Sequence, residues 1–102
     1  MSFFESVYEN LKKVPSGRVI TYGILAKMCG NRRMSRQVGW ALHTNPNPEN
    51  IPCHRVVNRF GYLSGGFAFG GIEVQKQLLE RENIVVSQDY MVDLKKYLWH
   101  EE

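Results

Sequence analysis

Helix breakers cut the first half of this chain into short lengths, and that punctuation restricts the folds open to it. Pro15-Ser16-Gly17, Gly30-Asn31 and Asn45-Pro46-Asn47-Pro48 each interrupt a helical pattern. Proline has no N–H to continue the ladder, and glycine favours the residue just past a helix end. Helices of two or three turns are marginal in water by themselves, so these pieces must pack on one another. The first runs from Phe3 to about Val14, with Ser2 and Glu5 in a capping-box pattern and Phe4, Val7, Tyr8, Leu11 and Val14 at helical spacing. A strand-like link, residues 18–21, leads into a second helix capped by Thr21 and reaching about Cys29, with Ile24, Leu25 and Met28 on its buried side. After a polar turn at residues 31–33, Ser35 is the expected cap of a third helix through about His43, with Val38 and Leu42 inward. Two short helices joined by a polar turn read as a helix-turn-helix.

Beyond the Asn45–Pro48 loop the pattern changes. Val56-Val57 and Tyr62-Leu63 flank Asn58-Arg59-Phe60-Gly61 and predict a small hairpin, the wing that often follows a helix-turn-helix. A glycine-rich run from Ser64 to Gly71 precedes a helix from Glu73 to about Asn83, with Val74, Leu78 and Leu79 as apolar positions. In the tail, Ile84-Val85-Val86 reads as a strand, and Val92, Leu94, Tyr97 and Leu98 as anchors. The expected fold class is therefore mainly α with a small β element, a winged helix-turn-helix-like DNA-binding domain. The 102 residues suit one domain, 1–102. Glu5 and Glu9 interrupt the N-terminal apolar residues and no apolar run is long enough to cross a bilayer, so a cytoplasmic protein with no membrane association is expected. Cys29 and Cys53 lack the paired spacing of a zinc site or a disulfide framework, so both thiols are expected to be free and no metal or cofactor is called for.

The net charge of +3 understates the basic character, because the signs separate along the chain. Residues 1–66 hold nine Lys/Arg against three Asp/Glu, whereas residues 67–102 hold four against seven. A basic front half suits a polyanion such as nucleic acid, and it equally suits a solvated basic face.

The chemistry concentrates in Pro52-Cys53-His54-Arg55-Val56, where a thiol stands beside an imidazole. A free thiol titrates near pH 8.5, so only a few per cent is thiolate at neutrality, and the thiolate is the nucleophile. His54 is the base at hand, although neighbours in an extended chain point to opposite sides and direct contact with Cys53 is not expected. The run from Ile51 to Val57 resembles the active-site signature of the O6-alkylguanine-DNA alkyltransferases. The resemblance extends from about Phe4 to Glu82 through Thr21-Tyr22-Gly23, Arg36-Gln37-Val38-Gly39, Asn45-Pro46 and Leu78-Leu79-Glu80-Arg81-Glu82, in the family's order.

Several roles are implied by this resemblance. Cys53 accepts the alkyl group, a water links it to His54, and Glu82 orients and charge-balances the imidazole. Tyr22 helps rotate the phosphate and protonates the leaving guanine, and Asn45 ties the helix-turn-helix to the cysteine loop. Arg36 enters the duplex in place of the flipped nucleotide, and Gly39 lets the third helix approach the backbone closely. Arg55 completes the DNA-contacting set. The helix would lie in the minor groove, and the partner is double-stranded DNA containing O6-alkylguanine. A duller reading exists for each: Arg36 as a solvated arginine, Tyr22 as core cover, Asn45 as a turn residue. Cys29 reads as a small buried hydrophobe.

The pattern departs from the typical family in two places. The separate N-terminal domain is missing from these residues, and Phe67-Ala68-Phe69 stands where a lid usually frames the guanine. Small size also resembles the alkyltransferase-like branch, which flips alkylated guanine without transfer, engages nucleotide excision repair proteins and typically carries tryptophan at the cysteine position. Here the cysteine is present. Irreversible single-turnover transfer to Cys53 by a monomer is the expectation, with the lesion sensor as the alternative. A winged-helix transcription regulator ranks third, since it leaves the cysteine motif unexplained.

Overall fold

A computed structural model describes residues 1–64 and 70–101. The expected lid at Phe67 and Phe69 lies outside the described residues. The fold is mostly helical with a small two-stranded sheet. Helix α1 spans Phe3–Leu11, and its capping box is complete: Ser2 Oγ accepts from the Glu5 N–H while Glu5 accepts from the Ser2 N–H, each at 3.1 Å. It stops at Leu11, short of the expected Val14, because the chain tightens there into three-residue turns. Lys13 N–H donates to Asn10 O and Val14 N–H to Leu11 O. Val14 is nevertheless fully buried.

Strand β1 (Ile20–Thr21) runs directly into α2 (Tyr22–Met28), whose first turn is capped by Thr21 Oγ1 accepting from the Ile24 N–H. Leu25 and Ala26 form the buried face of α2, with Ile24 and Met28 only partly buried. Helix α3 (Ser35–His43) buries Val38, Ala41 and Leu42, one residue more than expected. Ser35 does not cap it. Asn31 caps a 3-10 turn at Arg32–Met34 by accepting from the Arg33 N–H, and this turn feeds α3, so Ser35 Oγ instead donates to Arg32 O. Helices α2 and α3 make the helix-turn-helix, with α1 packed across both.

Strand β2 (Val56–Val57) pairs in parallel with β1, Ile20 opposite Val56 and Thr21 opposite Val57. The expected hairpin survives as one antiparallel bridge, Val57 to Leu63, closed by Asn58 N–H to Tyr62 O. The sheet forms with residues 36 positions away because β1 has already been placed by α2. Successive residues of a strand face opposite sides. Ile20 and Val56 therefore join the α1–α3 core, while Val19 and Val57 join a second apolar cluster with Leu63, Leu79, Ile84, Val86, Val92 and Tyr97.

Helix α4 (Ile72–Arg81) differs from its expected face. Val74 is exposed, and Gln75 is the residue fully buried beside Leu79. The tail strand at residues 84–86 reduces to a single bridge, Val86 to Val92. Helix α5 (Leu94–Tyr97), capped by Asp93, then returns the chain to β1, where Val19 N–H donates to Tyr97 O and Trp99 N–H to Val19 O. Among the described residues no helix is long and apolar enough to cross a membrane.

Candidate DNA-lesion site

Cys53 opens a 3-10 turn, Cys53–Arg55, placed immediately before β2. Pro52 cannot donate to the preceding loop, so the turn is fixed from its other groups. Cys53 N–H donates to Ile51 O at 2.8 Å and Arg55 N–H to Pro52 O at 3.0 Å. Asn45, at the end of α3 and buried, holds the same loop: its Nδ2 donates to Ile51 O at 3.0 Å and its Oδ1 accepts from the Asn47 N–H at 2.9 Å. Thus Asn45 joins the helix-turn-helix to the cysteine loop. Cys53 as a whole is 1% exposed. Burial pushes its pKa up from the ordinary value, and hydrogen bonds from Asn45 and from the Cys53 and His54 backbone work the other way without overcoming it. The resting group is therefore a thiol.

A mostly covered charge cluster is built from the next two residues of the turn and Glu82. His54 Nε2 is 2.8 Å from Glu82 Oε2. Arg55 grips the same carboxylate with two nitrogens: Nε donates to Oε1 at 3.0 Å, and Nη2 donates to Oε2 at 2.7 Å. Arg55 Nη1 also donates to Val14 O at 2.8 Å, and the Gly17 N–H donates to Glu82 Oε1 at 3.3 Å. Burial opposes the charged carboxylate, yet the Arg55 and His54 hydrogen bonds outweigh it and hold the Glu82 pKa below the ordinary value. Burial lowers the His54 pKa despite the Glu82 partner. An ionised carboxylate only accepts, so a neutral His54 must donate through Nε2 and keep its lone pair on Nδ1. That lone pair is left able to accept a proton.

Gln75, which nothing in the sequence singled out, fixes the other side of this segment. From α4 its Nε2 donates to His54 O at 3.1 Å and to Val56 O at 3.0 Å. A lone glutamine inside a polar helix pattern reads as surface, and only the tertiary contact reveals its role. Gly17 and Val14 were missed for the same reason, since they contribute backbone groups.

Tyr22 sits at the start of α2 with its hydroxyl 2.5 Å from Ser64 Oγ. Burial raises its pKa, the Ser64 bond opposes that, and the nearby Cys53 adds to the rise, so the phenol keeps its proton at neutral pH. Tyr22 also lines a groove of about 820 Å³ with Arg32, Arg36, Arg59 and Phe60. Arg36 projects from the first turn of α3 and is exposed. A Cβ added at Gly39 would meet nothing of the protein within 4 Å, so internal packing does not demand glycine there. Arg55, expected among the DNA contacts, is instead placed in the Glu82 cluster with its side chain mostly covered. The structure thus gathers Cys53, His54, Glu82 and Asn45 at one loop, Tyr22 beside them, and Arg36 in the adjoining basic groove.

A helix-turn-helix that presents a basic groove next to a buried thiol with a histidine–carboxylate pair defines a DNA-binding domain with a cysteine site. Residues 2–84 match the family model described as 6-O-methylguanine DNA methyltransferase, DNA binding domain. The chain belongs to that DNA-repair family. It is 38% identical over 99 residues to the DNA base-flipping protein of Escherichia coli (strain K12), covering 97% of this chain and 75% of the relative. It is 41% identical over 80 residues to the methylated-DNA–protein-cysteine methyltransferase of Methanosarcina acetivorans, covering 78% of this chain and 50% of the relative. The crystal structure of S. pombe Atl1 in complex with damaged DNA containing O6-carboxymethylguanine superposes with a TM-score of 0.86 at 35% identity, covering 97% of this chain and 95% of that one.

Proposed function

We propose that this protein binds duplex DNA containing O6-alkylguanine, turns the damaged base out of the helix and transfers its alkyl group irreversibly to Cys53. The observation that carries the proposal is the retained thiol in a loop anchored by Asn45 and Gln75, next to a neutral His54 whose orientation Glu82 sets. In the reaction, Cys53 gives its proton through a water to His54 and its sulfur attacks the alkyl carbon. The carbon–O6 bond breaks as the carbon–sulfur bond forms, and Tyr22 gives a proton to the departing guanine. Solvent returns the imidazolium proton to the tyrosine. The thioether is stable, so each molecule acts once.

Attack requires the base out of the stack, at a cost of a few kcal/mol that is smaller for a damaged, poorly paired base. The basic groove supports this step. Arg36 is exposed at the helix start, where the helix dipole disfavours a cation, and fits a role inside the duplex. Gly39 has open space outside it, which suits close approach of a DNA backbone. The minor groove suits lesion scanning because its pattern carries little sequence information.

A second reading is favoured by one specific observation: the match to Atl1 spans nearly both whole chains, whereas the match to the cysteine methyltransferase spans half of that relative. In this reading Cys53 is idle and the protein marks the flipped base for nucleotide excision repair proteins. Intact-mass measurement after incubation with a duplex carrying one O6-methylguanine separates the two. A gain of one CH2 on the Cys53 peptide is the expected result; unmodified protein that still prefers the lesion duplex would make it a sensor. Cys53→Ala should abolish transfer and keep lesion binding, and Arg36→Ala should weaken both.

A further inference from the structure

The C-terminal segment builds a surface that the lesion site does not use. A groove of about 610 Å³ lies between the turn at residues 58–61 and the tail, with Phe60, Val85, Met91 and Leu94 providing an apolar lining. Phe60 is 55% exposed and Val85 67% exposed. Large apolar side chains grouped in one concavity, unlike scattered ones, mark an interaction site. The walls are firmly held. Val85 N–H donates to Tyr97 Oη, Val92 N–H to Gly61 O, and Ser87 N–H to Met91 O.

Charge identifies the occupant. Lys95 and Lys96 line this groove and also a neighbouring basic recess of about 510 Å³ that includes Arg18 and His100. Among the described residues, none of Arg18, Lys95 and Lys96 forms an ion pair. Asp93, the carboxylate lining the groove, is engaged in capping α5 through the Lys95 N–H. The combination is an apolar slot bordered by cations that no carboxylate among the described residues neutralises, with Arg18 Nη1 donating to Lys96 O at 3.1 Å and Lys96 Nζ lying 5.3 Å from the Tyr97 ring centre.

We propose that this groove docks an acidic, amphipathic segment of a partner protein, with apolar side chains in the slot and carboxylates on Arg18, Lys95 and Lys96. An apolar floor offers no donors to phosphate, so it suits a peptide better than a DNA backbone, which the Arg32–Arg36–Arg59 groove already fits. Phe60 borders both grooves, so a docked partner would adjoin bound DNA.

The test uses fluorescence anisotropy of the full chain with labelled synthetic peptides carrying leucines at i and i+4 on one face and glutamates on the other. Matched peptides replace glutamate by glutamine, or leucine by serine. A labelled lesion-free duplex is titrated in parallel. The acidic amphipathic peptide should saturate, and both matched peptides should bind at least about tenfold more weakly. Val85→Asp, an exposed position, and the pair Lys95→Glu with Lys96→Glu should each cost about tenfold in peptide affinity while duplex affinity changes less than about twofold. Three results overturn the proposal. One is no saturation below about 1 mM. Another is equal binding by either matched peptide. The third is a roughly tenfold loss of duplex affinity in the double lysine variant, which would assign the cations to DNA.

Discussion

Glu82 accepts from His54, Arg55 and Gly17 at once, and this one carboxylate sets how the site responds to acid. Its folded pKa lies below the ordinary value, so its stabilisation is present above the unfolded pKa and is lost as pH falls through the folded one. His54 works in the same direction. Burial keeps its folded pKa below 6.5, so the unfolded chain takes up the proton first and stability declines as pH drops below that value. Urea midpoints should therefore hold level down to about pH 6.5, decline below it as the unfolded chain's histidine is charged, and decline further below about pH 4.5 as Glu82 loses its advantage. Glu82→Gln should remove the part of the loss that sets in below about pH 4.5 while lowering the midpoint at neutrality, because the mostly covered Arg55 is left without its counter-charge. A midpoint in Glu82→Gln that tracks the native protein at every pH would count against this account. The importance of Glu82, His54 and Cys53 was legible from residue types and order. That Arg55 grips Glu82 was not, because an arginine beside a reactive cysteine reads equally as clamp or contact.

Two connections between elements decide whether the cysteine loop keeps its shape. Gln75 ties α4 to the turn before β2, and Gln75→Leu would leave the His54 and Val56 carbonyls without that donor. At about 1–3 kcal/mol for each buried unsatisfied group, thermal melting should show a loss of several kcal/mol with little change in side-chain volume. A loss within experimental error would mean that water replaces the amide. The turn at residues 58–61 meets the tail at Gly61, which has φ +96° and whose added Cβ would collide with Val92 O. Gly61→Ala should cost about 2 kcal/mol or more, since both the left-handed backbone and the Val92 bond to Gly61 O are affected. An unaltered melting temperature would refute it. At this scale periodicity located α1, α2 and α3 well, since each presents an apolar stripe to one core. It also located α4 but not the polar Gln75 on its buried face, and it placed β1 and β2 without their pairing, because parallel partners lie far apart in the chain.

Across the whole molecule, charge separates by surface rather than only by sequence. Arg32, Arg36 and Arg59 gather at the groove beside Tyr22, while Arg18, Lys95 and Lys96 gather near the tail. Binding to lesion-free duplex should fall linearly with salt on logarithmic axes, with a slope of about 0.9 per phosphate contact. Arg32→Ala should make that slope shallower by about one unit, and a slope unchanged in this variant would remove it from the DNA contacts. The sequence by itself determined the local events: breakers and caps set the helices of the helix-turn-helix, and the Cys53 motif with its ordered companions pointed to alkylguanine chemistry. Those signals are carried by neighbours within a few positions, or by residue types that one chemistry requires. Tertiary structure alone decided which long-range partners meet. It alone brought Val14, Gly17 and Arg55 to Glu82, Gln75 to the cysteine loop, and the tail onto β1, because such contacts depend on how separate elements bury one shared core.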